Sequence, residues 1–307
     1  MVRQHAASVR NALGFDLEHW HSATLLDDAV DDPVDRVEDS VAIVLDLLRR
    51  YDVHATFFVV GELADEYPDL VRRIAAEGHE LASHGHTHTP LFDLTPDEFR
   101  DELRRSAAAI RRATGVEPDG FRAPNFSVTP QTEWAFPILQ SRGFRYDSSV
   151  FPVETPMYGV SGAPTFPYRV CLDEPFRTTT RDEEPTELVE VPVSVVGSRL
   201  RLPIAGGFYA RVLPASVLEY GIERLNRQGT PANLYFHPWE FNPAVRVDTP
   251  SIHRRFVSFH GIERTERKLE RLLASFPFGT VRDALQADGA GEPSTRRATP
   301  EDTDYGP

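Results

Sequence analysis

Short continuous apolar runs alternate along this chain with stretches whose apolar residues recur at helical spacing, and few folds accommodate that alternation. The runs "NALGFDLE", "HATFFVVGE", "HELASH", "DGFRAPNFS" and "FRYDSSV" read as buried strands, as do "ELVEVPVSVVG" and "ANLYFHPWEF" further on. Between the first two lies "DRVEDSVAIVLDLLRRYD", with Val37, Val41, Val44, Leu45 and Leu48 at helical spacing. Strands apolar on both faces belong to parallel sheets covered by helices. Six or seven β–α units in series therefore predict an α/β fold of parallel strands with outer helices.

Such a sheet either closes into a TIM-like barrel or stays open and doubly wound, and periodicity does not choose. Position does. Polar residues fall where strands end, at Asp16 and Glu18, His84 to His88, Arg122, Asp147 and His237. All strand C-termini of a parallel barrel open on one face, so these five ends would meet in one pocket. The barrel is the expectation.

The helices carry their own punctuation. Thr95 and Pro96 open "TPDEFRDELRRSAAAIRRATG", and Gly115 closes it. "YPDLVRRIAAEG", "TPQTEWAFPILQSRG", "LPASVLEYGIERLNRQG" and "GIERTERKLERLLASF" read as further helices. Residues 151–187, rich in Pro, Thr and charge, read as a loop insertion. Residues 288–307 have almost no apolar content and read as a disordered tail.

The net charge of −14 excludes nucleic acid as a natural partner, because phosphate binding needs a basic surface. Lys268 is the only lysine. Such an acidic, Arg-rich chain resembles proteins of salt-loving archaea, whose surface carboxylates hold water at high salt. A high-GC genome would give the same bias. Cys171 stands alone, so no intrachain disulfide forms. No run of about 18 apolar residues points to a membrane span, and "MVRQHAASVRNALGF" does not read as a signal peptide. The expected location is the cytoplasm.

Asp16 and Glu18 stand at i and i+2, which places them on one face of a strand. Two carboxylates there repel unless a cation or proton lies between them; otherwise they are solvated loop acids. "SHGHTH" crowds His84, His86 and His88 into five residues. Strand and helix geometry alike put His84 and His88 on one face, and two imidazoles with a carboxylate form a common set for catalytic Zn²⁺ and related ions. Arg122 could clamp a carboxylate in two-point contact. His237 closes an apolar strand, a suitable place for an acid or base.

The ordered motifs "FDLE … SHGHTH … FRAPNFS … YDSS … LYFHPWEF" resemble the polysaccharide deacetylase family, the NodB-homology domain of carbohydrate esterase family 4. The resemblance runs over residues 11–285 and is nearest to the exosortase-associated branch, through "LVEVPVS", "LPIAGGFYARVLP" and "YFHPWEF". It implies a distorted (β/α)7 barrel and a metal-dependent hydrolase that removes acetyl from an N-acetylated glycan or sugar conjugate. Two alternatives stand beside it: a small-amide or N-formyl hydrolase, as some relatives are, and a non-catalytic sugar-binding module on the same fold. In the implied assignment Asp16 is the catalytic base, held by Arg122. Glu18, His84 and His88 bind a divalent ion, Zn²⁺ first, with Co²⁺, Ni²⁺ or Mn²⁺ as other occupants. His237 is the general acid, tuned by Asp147. His86 is a supporting residue. Trp20, Phe126, Tyr209 and Trp239 offer aromatic faces to a sugar ring, or serve as core. The chain departs from the commonest family pattern, which has adjacent aspartates, by carrying Glu two positions after Asp16.

Overall fold

A computed structural model describes residues 9–22, 33–155, 158–178, 185–197, 200–245 and 251–288. The strands are β1 (Asn11–Leu17), β2 (Thr56–Val59), β3 (Glu80–Ser83), β4 (Gly120–Phe121), β5 (Tyr146–Asp147), β6 (Tyr168–Arg169), β7 (Val189–Glu190), β8 (Val195–Val196), β9 (Leu202–Pro203), β10 (Asn233–Phe236) and β11 (Phe278–Gly279). The helices are α1 (Val37–Arg50), α2 (Gly61–Glu66), α3 (Pro68–Ala76), α4 (Pro96–Thr114), α5 (Ala135–Ser141), α6 (Gly207–Val212), α7 (Ala215–Arg227), α8 (Ile252–Phe259), α9 (Ile262–Ser275) and α10 (Val281–Asp288).

The sheet runs in the order β10-β1-β2-β3-β4-β5-β7, all parallel, with β6 antiparallel on the far side of β7. The ring closes between the segment after β7 and the start of β10. One backbone bond crosses there, from Ser194 N to Asn233 O at 3.1 Å. Side chains do the rest: Asn233 N donates to Ser194 Oγ at 2.7 Å, and Asn233 Nδ2 donates to Ser148 Oγ at 3.0 Å and Val191 O at 2.9 Å. The expected distorted (β/α)7 barrel is present, and the distortion lies at this seam.

Strand alternation sorts the side chains. Leu13, Phe15 and Leu17 point out and pack with Val41, Val44, Leu45 and Leu48 of α1 in the largest core cluster. Ala12, Phe58, Ala82 and Tyr146 form a second cluster inside the ring, closed at the bottom by Val281 and Ala284 of α10. Gly120 is required here, since a Cβ would lie 2.0 Å from Tyr146 Cζ. Burial of a large apolar side chain contributes roughly 1.5–3 kcal/mol, so each of these layers stabilises the fold, as does a further cluster around Phe99, Phe121, Phe136 and Leu139.

Helix α4 follows its punctuation. Thr95 and Glu98 form a reciprocal capping box, Pro96 takes the first position, and Gly115 ends the helix at φ 77°. Residues 151–187 are expected to form a loop insertion; among the described residues of this range most are irregular, β6 pairs with β7, and Phe151, Val160, Ala163 and Val170 are buried. The expected tail beyond 288 lies outside the described residues. No described helix is long and apolar enough to cross a membrane.

Candidate metal and proton-transfer site

Asp16 and Glu18 share the inward face at the top of β1, as their i, i+2 spacing requires, and both are buried. Arg122, fully buried at the end of β4, reaches across the ring. Its Nη1 donates to Asp16 Oδ1 at 2.7 Å, its Nε to Ser148 O at 3.0 Å and its Nη2 to Ser148 Oγ at 2.8 Å. Its guanidinium lies 3.9 Å from the centre of the Phe58 ring. Every face of this cation is engaged, as a buried charge demands. Removing either partner of such a pair costs about 3–5 kcal/mol.

β3 ends at Ser83, so the three histidines follow it on a loop, neither strand nor helix. Gly85 at φ 74° and His88 at φ 61° bend that loop. His84 points inward and His88 returns to it, with ring centres 5.1 Å apart. A histidine at positive φ is uncommon, and such strain collects at functional sites. His86 points the other way, its Nδ1 packed where a Cβ on Gly61 would be. Glu102 of α4, which the sequence did not single out, holds the loop: its Oε2 accepts from His86 N at 2.7 Å and Thr87 N at 2.8 Å.

Glu18, His84 and His88 each offer a ligand atom, all within 4.8 Å of one another, and among the described residues this is the only such group found. Their chemistry fits a divalent ion. His84 Nδ1 donates to the Arg122 carbonyl at 2.8 Å, which leaves the Nε2 lone pair for a ligand bond. Burial, reinforced by His88, pushes His84 down to about 4, so it is neutral at pH 7. Burial alone would raise Glu18, but His88, His237 and His84 together hold it down at about 2. Glu18 Oε2 lies 2.6 Å from His88 Nε2.

His237 follows β10, with Nε2 at 3.5 Å from Glu18 Oε1 and Nδ1 at 3.5 Å from Glu240 Oε2. Its ring stacks on Trp239, 5.4 Å between centres. Burial disfavours its charge, but Glu18, Glu240 and Asp16 outweigh burial and raise it to about 9.

Asp147 is not the acid beside His237, which corrects the expectation from the resemblance. Tyr146 and Ser148 face the ring interior, so Asp147 must face the helix layer. There it stands opposite Glu190 of β7, its register partner. Both are fully buried, and burial raises both, Asp147 to about 6. Two carboxyls in contact keep one proton between them. The acid at His237 is Glu240, missed as such by the sequence reading. Its signal was the i, i+3 spacing after Pro238, which a helical turn, here Pro238–Phe241, brings onto one side.

The aromatic residues expected at the pocket are largely core. Trp20, Trp239 and Phe126 are buried, Trp20 donating its Nε1–H to Val34 O at 3.0 Å. Only Tyr209 is partly exposed.

Residues 24–145 match the family model described as polysaccharide deacetylase, and residues 148–286 match one described as DUF3473, a domain of unknown function. The chain is 36% identical over 93 residues to the peptidoglycan-N-acetylglucosamine deacetylase of Bacillus cereus, covering 30% of this chain and 34% of that protein. It is 45% identical over 82 residues to the chitooligosaccharide deacetylase of a Bradyrhizobium species, covering 26% and 37%. The chain thus spans about a third of the length of these curated relatives. Among solved structures, one described as a polysaccharide deacetylase from Mycobacterium smegmatis aligns over 97% of this chain and 96% of its own, with TM-score 0.61 at 22% identity. Puue allantoinase aligns over 93% and 92%, with TM-score 0.59 at 15% identity. At these identities the likeness to solved structures is one of fold.

Proposed function

We propose that this chain, which carries a polysaccharide deacetylase domain, hydrolyses the N-acetyl group of a glycan or sugar conjugate, releasing acetate and a free amine. The observation that carries this reading is the meeting, at one end of the barrel, of the Glu18, His84 and His88 group, the Asp16–Arg122 pair and His237. The names of the Bacillus cereus and Bradyrhizobium relatives support the substrate class.

Glu18, His84 and His88 would hold the divalent ion, zinc in our reading, which when bound supplies Lewis-acid polarisation of the acetyl carbonyl and a more acidic water. Arg122 fixes Asp16 Oδ1, so Asp16 is oriented to take the proton of the attacking water with Oδ2. His237 turns Nε2 toward Glu18 and is placed to protonate the departing nitrogen. An amine leaves poorly without that proton, so the acid matters as much as the base. The substrate is a polymer, an oligomer or a lipid- or nucleotide-linked sugar.

Acetate release from N-acetylglucosamine oligomers, measured before and after chelation and after zinc is restored, tests the reading. Release that stops with chelator and returns with metal is the expected result. Absence of release from every N-acetylated glycan tried, with metal content verified, overturns it.

A further inference from the structure

Glu240 is buried behind His237, and its carboxylate is held there from two sides. Its two oxygens are divided. Oε2 accepts from His237 N at 3.0 Å and lies 3.5 Å from His237 Nδ1. Oε1 accepts from Arg211 Nε at 3.0 Å. Arg211, in α6, is itself only 3% exposed. Its Nη1 donates to His260 O at 2.9 Å and its Nη2 to Val257 O at 2.8 Å, both carbonyls at the C-terminal end of α8. Each of its three nitrogens therefore has a fixed acceptor, and the planar fork cannot rotate without losing one.

Two further details keep this fork in place. Gly207 opens α6, and a Cβ there would lie 1.7 Å from Glu240 Oε1 and 2.1 Å from Oε2. Only glycine lets that helix close over the carboxylate. Lys268, the chain's only lysine, donates to the carbonyls of Ala210, Arg211 and Leu213 at 2.9, 2.6 and 2.7 Å. An ammonium offers three donors that diverge from one atom, which a planar guanidinium does not, so lysine suits three converging carbonyls. It anchors the backbone of Arg211 to α9.

We infer that Arg211 and Glu240 are positioning residues that aim His237 Nε2–H at the leaving nitrogen, an inference that rests on the hydrolytic reading above. Glu240 Oε2 stands 3.5 Å from Nδ1 as a counter-charge and accepts from the His237 backbone N–H, which leaves the opposite ring nitrogen facing Glu18. Arg211 fixes Glu240 and ties it to α8. In the step concerned, the C–N bond breaks and its electron pair stays on nitrogen. The proton of His237 Nε2 passes to that nitrogen, and the imidazole is left neutral. Acetate and the free amine result.

The leaving group separates this role from a structural one. 4-Nitrophenolate departs from 4-nitrophenyl acetate without a proton, whereas an amine needs one. Glu240→Gln and Arg211→Met should each lower kcat on an N-acetylglucosamine oligomer by about 10- to 1,000-fold, a general-acid effect. KM and kcat on the aryl ester should stay within about threefold, since neither reports that proton. Arg211→Lys should restore part of the amide rate. Gly207→Ala, which drives a methyl into the Glu240 carboxylate without changing any charge, should reproduce the selective loss. Metal content and melting temperature identify any variant that is misfolded. Glu240→Gln is nearly isosteric and carries the test if Arg211→Met does not fold. Equal losses on amide and ester overturn the inference while leaving the hydrolytic reading intact. A wild-type protein that turns over no amide sinks both.

Discussion

Residues 24–145 and residues 148–286 both bring histidines to the same end of the barrel, but by different means. In the first stretch, His84 and His88 sit four positions apart on one loop, and that loop is held by direct contacts from α4 and the end of β4. A backbone carbonyl fixes His84, and one buried glutamate holds the loop. In the second stretch, His237 relies on Glu240, then on Arg211, then on the end of α8, a relay assembled from three separate segments. The difference follows from the task. In the proposed reaction a metal ligand needs one free lone pair aimed at a point, which one or two direct contacts supply. A proton donor needs a charge sustained in a buried place, and that takes counter-charges from several directions.

The comparison breaks most readily on the ligand side. His84→Ala should abolish stoichiometric metal by elemental analysis and reduce the proposed deacetylation to background. His86→Ala should leave metal content near that of the wild type, because its ring faces α2. The reverse pattern would mean that the loop is bound in another register. Next in size, Asp16→Asn should retain its metal and lose about 10²- to 10⁴-fold in turnover, the usual range for an acid–base residue. Unchanged turnover would remove Asp16 from the reaction.

Three smaller effects sharpen the picture around the second stretch. The Asp147–Glu190 pair is raised by burial, so the folded chain binds more protons there than the unfolded one. Stability from this pair is therefore present below the ordinary carboxylate range and falls as pH rises through about 6. Glu190→Gln should flatten that fall by about 1–3 kcal/mol in denaturant titrations between pH 4 and pH 8. A pH dependence identical to the wild type would show that the pair does not share a proton. Asp147→Asn, with its side chain behind the strand, should leave turnover within about twofold, well below the range for a catalytic acid. A loss as deep as that of His237→Ala would restore Asp147 to the acid's side. Lys268→Arg should cost about 1 kcal/mol of stability through imperfectly capped carbonyls, read as a small drop in melting temperature.

Much of the chain as far as Asp147 was legible. The strands β1 to β5 lie within their apolar runs, and Thr95, Pro96 and Gly115 mark α4, because caps and burial periods are local physics. The helices α2, α6, α8 and α10 were not anticipated. Each has at most eight residues, too few for a helical period to stand out from its surroundings. The position of Asp147 was legible in principle, since alternation puts it opposite Tyr146. Its assignment beside His237 came from the resemblance and not from that alternation.

The order of apolar runs therefore settled a parallel, helix-covered sheet, and the i, i+2 spacing settled that Asp16 and Glu18 share a face. These are matters of neighbours along the chain, where backbone geometry leaves little freedom. Folding in three dimensions decided the rest. It closed the ring through Asn233, sent His86 outward and His88 inward, and chose Glu240 over Asp147 for His237. Those choices depend on which distant groups can satisfy a buried charge or a buried amide, and no local pattern encodes that.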